Sequence, residues 1–569
     1  MQKIRIKKAF AMIMVIVMLI SVNMSTVNAA ANPEELGYLP VRAIFEKQGS
    51  NVTWCDYERV IHIEWRGNVF VLNTRQPLAY VNDEVRILPY GGIILWEGRS
   101  FIAPNDLVLL LLNVFPLDVD DGYFTDIPWE YEDNFESMPV DIEALTEIAI
   151  NFMEKFAAGY EISGDVSMLR EKQPISVGSF ADIYTVSKWQ RGSFIDWHLM
   201  GYQEYSDFVI FDFAVNNVIG SGGYSIVVNS NGKIDGIGSL GFAFEPIPVA
   251  ENATYTAYPI IIGKGTMWEL DGLLTMPHVA SAENPVPAVV LVHDTGVQNM
   301  DLSIFDNRPF HDIATYLSSN GIAVIRYHKR ALIHSCTLWP RWTSFEYYST
   351  VCEEIVDDAL LAIETLRSDP RVGSIFVAGK GLGGTLAPRI AEESGLDGVI
   401  LLGASPRSLF EIAYSQSIQN ARYAVLAEQI SQEQADDFLL EAYYRVTEAR
   451  NLPNLTEEEM YDMVIFGLPA IYQRSLHDSL PLPIISRNII PTLILHGDRD
   501  FNVCTDKDFN LFIEYTKYYD HVQTILYEGL TQIFTQAQTD YNHWREYMVA
   551  GHVDAQVLRD IVEWIMSNS

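Results

Sequence analysis

The sequence predicts an α/β protein: a doubly wound, mostly parallel sheet in the C-terminal part, carrying a helical lid and preceded by two small α+β domains. Three observations carry that reading. Within residues 253–569, short apolar runs at 288–292, 323–327, 375–378, 398–402, 492–495 and 524–527 alternate with helical patterns such as 358–367 and 557–565. Strands that are apolar throughout, without a polar alternate, are those of a sheet covered on both faces. Residues 405–490 interrupt this order with a long helical stretch rich in Glu and Gln. Ligands of open α/β sheets bind beyond the carboxyl ends of the strands, so an insertion after a central strand is expected to lie over them as a lid.

The 569 residues carry 74 Asp plus Glu against 38 Lys plus Arg, a formal net charge of -36. Nucleic-acid binding needs a basic stripe that displaces counterions from phosphates, and this balance excludes it. Hydrophobic content of 49% with 20% charged residues supports packed cores and excludes a disordered chain.

Taken in order, the chain opens with Lys3, Arg5, Lys7 and Lys8, an apolar run at 9–22, and the small residues Ala29, Ala30 and Ala31. Residues 1–31 therefore read as a secretory signal peptide, which predicts a secreted, extracellular or cell-surface protein. Its removal takes four cations from the formal charge of -36 and leaves -40. No later run reaches the roughly 20 apolar residues of a membrane span, so none is expected after cleavage.

Residues 34–117 read as short strands, as at 60–65 and 69–72, with helical stretches near 42–47 and 105–112. The run Leu39-Pro40-Val41-Arg42-Ala43-Ile44-Phe45-Glu46, with Gly49, Val52-Thr53-Trp54 and the later Gly98-Arg99-Ser100-Phe101-Ile102-Ala103-Pro104, resembles the small domain named after the N-terminal part of copper amine oxidases. That resemblance implies an accessory binding or spacer module. No copper ligand set or cofactor tyrosine accompanies it. Residues 118–139 follow as an acidic linker, with eight acidic and no basic residues from Asp118 to Glu136. A small α+β domain at 140–247 begins with an amphipathic helix at 142–156 and continues in strands near 208–215 and 224–228. It resembles the helix-plus-curved-sheet domain that precedes exported esterases.

Cys55, Cys336, Cys352 and Cys504 are scattered, without CxxC or paired-His spacing. That excludes a disulfide framework and a zinc site; free thiols, or one bridge such as Cys336 to Cys352, both stay open. No metal or other cofactor is expected, although His496, Asp498 and Asp500 lie close together in sequence.

The motifs of the C-terminal domain are ordered: Leu291-Val292-His293, Ile325-Arg326-Tyr327, Asp357-Asp358-Ala359, Gly379 to Gly384, His496-Gly497-Asp498-Arg499-Asp500, Gly529-Leu530 and Gly551-His552-Val553-Asp554. With them this domain resembles the α/β-hydrolase superfamily, in particular exported bacterial esterases of the S9-like serine-hydrolase group. The resemblance implies a nucleophile on the turn between a strand and a helix, in the middle of G-x-S-x-G. The turn here reads Gly379-Lys380-Gly381-Leu382-Gly383, so Gly381 stands at the nucleophile position. Asp500 fits the acid position. At the base position, where a His is implied, stands Gln532, whose amide cannot take a proton near neutral pH. Leu382, Asp294 and Thr295 map to the oxyanion region, where a carboxylate on Asp294 would oppose a developing negative charge.

Other groups at the sheet edge have ordinary expectations. Lys380 is expected to be a solvated or capping lysine, and His293, His496 and His552 to satisfy local hydrogen bonds. His328 is the one candidate for a displaced base. Two functions follow. The main reading is an exported, non-catalytic pseudoenzyme that binds a small-molecule or acyl ligand in its cleft, or a cell-envelope partner. The other is an active carboxylic-ester (acyl) hydrolase with a rearranged catalytic constellation. Installing Gly381→Ser together with Gln532→His is the test the sequence suggests.

Overall fold

The structure is a computed structural model of the chain. It describes residues 39–41, the strands between 51 and 102, 141–158, 188, 191–204, and 208–569 except 267, 335–349, 427–429, 461–462, 467 and 539–543. The signal segment, the acidic linker, the helices expected at 42–47 and 105–112, and Cys336 lie outside the described residues. Among the described residues no helix is long and apolar enough to cross a membrane.

Two compact units divide the chain, one of them Val22–Asp141 with Trp339–Tyr348. Its strands Asn51–Cys55, Val60–Trp65, Asn68–Asn73, Leu78–Val81 and Glu84–Ile87 pair in sequence order as a five-stranded sheet. Leu39–Pro40, Arg99–Ile102 and Ile93–Trp96 form a second, three-stranded one. Period-two alternation is the organising device. Ile61 and Ile63 face inward opposite Leu72 and Phe70, and such cross-strand apolar pairs stabilise a sheet.

The other unit begins with α1 (Ile142–Ala157), whose buried residues Leu145, Ala149, Phe152, Met153 and Phe156 recur at helical spacing along one face. It packs on an antiparallel sheet of β1 (Phe194–Glu204), β2 (Phe208–Asn217), β3 (Gly220–Asn229) and β4 (Ile234–Phe244). The Phe156 ring meets Tyr224 edge-on at 5.3 Å and Phe194 at 5.7 Å. Along β2, Val209, Phe211, Phe213 and Val215 are buried while their neighbours are less so, the alternation of a sheet with one covered face.

The same unit continues into an eight-stranded sheet. Its strands are β5 (Tyr255–Ile262), β6 (Leu270–Pro277), β7 (Val286–Val292), β8 (Ala323–Tyr327), β9 (Val372–Lys380), β10 (Gly398–Leu402), β11 (Thr492–Gly497) and β12 (Val522–Tyr527). They lie in the order β5-β6-β8-β7-β9-β10-β11-β12. The six strands from β7 onward run parallel to one another, whereas β6 is antiparallel to β8 and β5 antiparallel to β6. All six parallel strands coincide with the apolar runs read from the sequence, and β8, β10 and β11 are buried along their whole length. The antiparallel pair β5–β6 is an addition that the sequence reading did not anticipate.

Helices α2 (Pro309–Ser319) and α9 (Ala555–Ser567) share one core cluster: Phe310, Ile313 and Leu317 of α2, and Val557, Ile561 and Ile565 of α9, with Val289, Leu291 and Leu493 of the sheet. Helices α3 (Asp357–Arg367) and α4 (Leu382–Ser394) also pack on the sheet. Between β10 and β11 the chain forms α5 (Leu409–Leu426), α6 (Gln432–Ala449), α7 (Ala470–His477) and α8 (Pro481–Arg487), the helical insertion expected at 405–490. Its α6 starts at a capping box in which Ser431 and Gln434 satisfy each other's backbone N–H.

Candidate functional site

The strand β9 ends at Lys380, and α4 starts at Leu382, so a single residue turns the chain. That residue is Gly381, with φ 55° and ψ -116°, a region only glycine enters without strain. Its N–H donates to the Leu402 carbonyl at 2.9 Å and its carbonyl accepts from Thr385 N–H at 3.0 Å, which fixes the turn between β10 and α4. The glycines around it serve close packing. A Cβ on Gly383 would lie 2.4 Å from the carbonyl oxygens of Val292 and His293, and one on Gly379 would lie 2.2 Å from the Gly383 carbonyl oxygen.

Into this turn comes Asp294, two residues after β7. A Cβ on Gly381 would stand 2.2 Å from the Asp294 carboxyl carbon and from both its oxygens. The space of a nucleophile side chain is therefore filled by this carboxylate. Its Oδ1 accepts from Leu382 N–H at 2.9 Å and Thr295 N–H at 2.7 Å, two amides of the region that the sequence resemblance maps to an oxyanion site. Its Oδ2 accepts from Lys380 Nζ at 2.6 Å. Burial works to raise the pKa of Asp294, but the Lys380 ammonium and the Leu382 N–H outweigh it and hold the carboxyl below its ordinary range.

The structure corrects the expectation for Lys380. It is 4% exposed rather than solvated, and besides Asp294 it donates to Gln532 Oε1 at 2.7 Å. Two charges out of water need such partners. Gln532 is a hub: Oε1 also accepts from Asn502 Nδ2 at 2.7 Å and from the Tyr547 hydroxyl at 3.4 Å, and Nε2 donates to the Gly403 carbonyl at 3.4 Å. A neutral amide oxygen receives an ammonium and two neutral donors at no cost in proton affinity, a task that a histidine side chain would share with titration.

Asp500 lies close by. Its Oδ1 accepts from the N–H groups of Asn502 and Val503, each at 2.8 Å, and Gly403 separates it from Gln532, leaving room for no Cβ between them. Burial drives its pKa well above the usual carboxylate value, against the pull of those amides and of Lys380. All six site residues read from the sequence, Gly381, Leu382, Asp294, Thr295, Asp500 and Gln532, thus meet around the elbow.

The histidines do not. His293, buried between Phe310 and Tyr327, contacts the Asn299 carbonyl at 3.0 Å, and burial lowers its pKa to about 3. His328, the displaced-base candidate, accepts Met300 N–H on Nδ1 at 3.2 Å and packs edge-on against Phe244 at 5.0 Å. Burial lowers it to about 4. His496 stacks on Phe509 and is likewise lowered to about 4 by burial. His552 is exposed and contacts Asp312. Among the described residues no group of three His, Cys, Asp or Glu could hold a metal. Cys352 and Cys504 are free and half-buried.

A cleft opens over the elbow. Asp294, Gly381 and Gln532 line its floor, and the apolar side chains Leu409, Ile412 and Leu476 come from the insertion. Arg407 also reaches it but is engaged bidentately by Asp508, at 2.7 Å on each arm. Sequence reasoning missed this pair, because the partners are about a hundred residues apart and belong to no motif. It also missed Asn502, Tyr547 and the contact of Ser408 Oγ with His477 Nδ1 at 3.3 Å in the insertion.

Esterase EstD of Thermotoga maritima is 30% identical over 409 residues, covering 69% of this chain and 89% of that esterase. The chain belongs to the α/β-hydrolase family of this esterase. The shared portion of this α/β-hydrolase is longer than residues 253–569, so it takes in part of the preceding segment as well. Among solved structures, Est1E from Butyrivibrio proteoclasticus is 16% identical, with a TM-score of 0.33, and covers 55% of this chain and 98% of its own. The acylaminoacyl peptidase of Pyrococcus horikoshii is 14% identical, with a TM-score of 0.33, and covers 59% and 45%. No family profile matches the chain, and the likeness of residues 34–117 to a copper amine oxidase N-terminal domain rests on its sequence motifs alone.

Proposed function

We propose that this α/β-hydrolase is an exported carboxylic-ester (acyl) hydrolase whose catalytic constellation is rearranged rather than absent. Relationship to an esterase along 89% of that enzyme supports the activity class. The observation that carries the rearrangement is the elbow itself. Its backbone keeps the sharp turn, its nucleophile space holds an ionised carboxylate, and both face an apolar-walled cleft. The export signal at 1–31 and a lid role for the 405–490 insertion belong to the same proposal.

The non-catalytic reading keeps one specific observation in its favour. Gln532 and Lys380 are tied together with Asp294 in a closed set of hydrogen bonds, the arrangement of a site that only binds. Loss of a serine triad costs about a millionfold in turnover in a protease where it was dissected. A small residual rate would therefore not distinguish the readings, whereas clear turnover would.

The full chain, assayed on p-nitrophenyl acetate, butyrate and octanoate, is expected to hydrolyse at least one of them well above the buffer rate, with no serine captured by a fluorophosphonate. Absence of turnover on all three overturns the hydrolase reading, and tight binding of an acyl ester without turnover establishes the non-catalytic one.

A further inference from the structure

We infer that Asp294 is the catalytic group of this cleft, a carboxylate acting on esters of apolar acyl groups from the place where a serine side chain would stand; the inference rests on the hydrolase reading above. Position is the first support. Asp294 occupies the volume next to Gly381 that a nucleophile's side chain would fill, and its side chain keeps 14% exposure, on the cleft. Ser405 also lines the cleft, but its hydroxyl is engaged: it donates to Asp508 and accepts from Arg407 N–H at 3.0 Å. Chemistry is the second support. A carboxylate can take a proton from water in the transition state, a contribution of typically 10²–10⁴-fold. Lys380 Nζ, at 2.6 Å, keeps that carboxylate ionised.

The step balances without any co-reactant. A water molecule gives one proton to Asp294 while its oxygen forms a C–O bond to the acyl carbon. The tetrahedral adduct then breaks its other C–O bond, and the departing alkoxide takes the proton back from the Asp294 carboxyl. Ester and water become acid and alcohol, and Asp294 is regenerated. Leu409, Ile412, Leu468 and Leu476 on the same cleft offer the acyl chain an apolar wall, which is why uncharged acyl groups are the substrate class.

Two measurements on the full chain test this with p-nitrophenyl butyrate. Asp294→Asn, checked by circular dichroism and melting, is expected to lower kcat at least a hundredfold. The wild-type pH profile is expected to stay flat down to about pH 4, because the base is a carboxylate held below its ordinary pKa. The profile needs no variant, so a misfolded Asp294→Asn leaves the test standing. Wild-type turnover with Asp294→Asn active to within threefold, an activity limb between pH 6 and 7, or fluorophosphonate capture of Ser408 or any other serine each overturns the role of Asp294 and leaves the hydrolase reading intact. A wild type without turnover overturns both.

Discussion

At the scale of single residues, the elbow shows why restoring a serine is not a one-residue change. A side chain at Gly381 must share space with the Asp294 carboxylate at 2.2 Å and adopt φ 55°. Gly381→Ser is therefore expected to destabilise the fold by about 2–4 kcal/mol through overlap and backbone strain, seen as a lower melting temperature, and to remain unlabelled by a fluorophosphonate. The double change with Gln532→His leaves this overlap in place, so the structure adds Asp294→Gly as its required companion. His328 supplies a pH prediction. Its folded pKa, about 4 because of burial, lies below the unfolded value of about 6.5. The unfolded chain binds the extra proton, so this group withdraws stability as pH falls from about 6.5 to about 4. His328→Asn keeps an acceptor for Met300 N–H and does not titrate. The difference in melting temperature between wild type and variant is expected to move against the wild type across that window, and a constant difference would show that His328 is not buried in its neutral form.

At the scale of elements, legibility follows burial. Five of the six parallel strands were readable because their apolar runs lie in the core, β8, β10 and β11 along their whole length, and β12, mostly half-buried or exposed, was readable by its place in the alternation of strands and helices. The pair β5–β6 was not, since β5 mixes buried, intermediate and exposed residues and gives no clean period. The turn at Gly381 was readable because close backbone approach leaves only glycine at Gly379, Gly383 and Gly384. The state of Lys380 was not, because its partners Asp294 and Gln532 lie far away in sequence and only the fold joins them. The same holds for the tie between insertion and sheet. Lys329 Nζ, after β8, meets Glu354 Oε1 at 2.6 Å, and the Tyr472 hydroxyl of α7 donates to Glu354 Oε2 at 2.6 Å. All three are buried. Tyr472→Phe removes one charge-assisted bond and leaves part of a buried carboxylate unsatisfied, a loss of about 1–3 kcal/mol. It is expected to lower the melting temperature and to raise KM more than it lowers kcat, because α7 carries Leu476 in the cleft wall.

At the scale of the whole molecule, the question is which segments fold together. The helix-and-sheet segment ending at Phe244 and the eight-stranded sheet belong to one compact unit, and specific contacts join them. Asp306 accepts from Ser193 N–H at 2.7 Å and Ser193 Oγ at 2.8 Å. Arg308 donates to the carbonyls of Glu245 and Val218 while pairing with the buried Asp301, which Arg326 also holds at 2.8 Å. Phe244 covers His328. A chain beginning at 253 would uncover this apolar and charged face and leave Arg308 without two of its acceptors. A chain beginning at 141 keeps all of these contacts and discards the strands of the other unit, in which Ile63 and Phe70 are buried opposite one another. The shorter fragment is therefore expected to aggregate or melt several degrees lower, whereas residues 141–569 are expected to purify as a monodisperse protein with the ester turnover of the full chain. Equal melting temperatures for the two fragments would show that the α1–β4 segment is a passive neighbour, and loss of turnover in 141–569 would assign the N-terminal unit a part in the site.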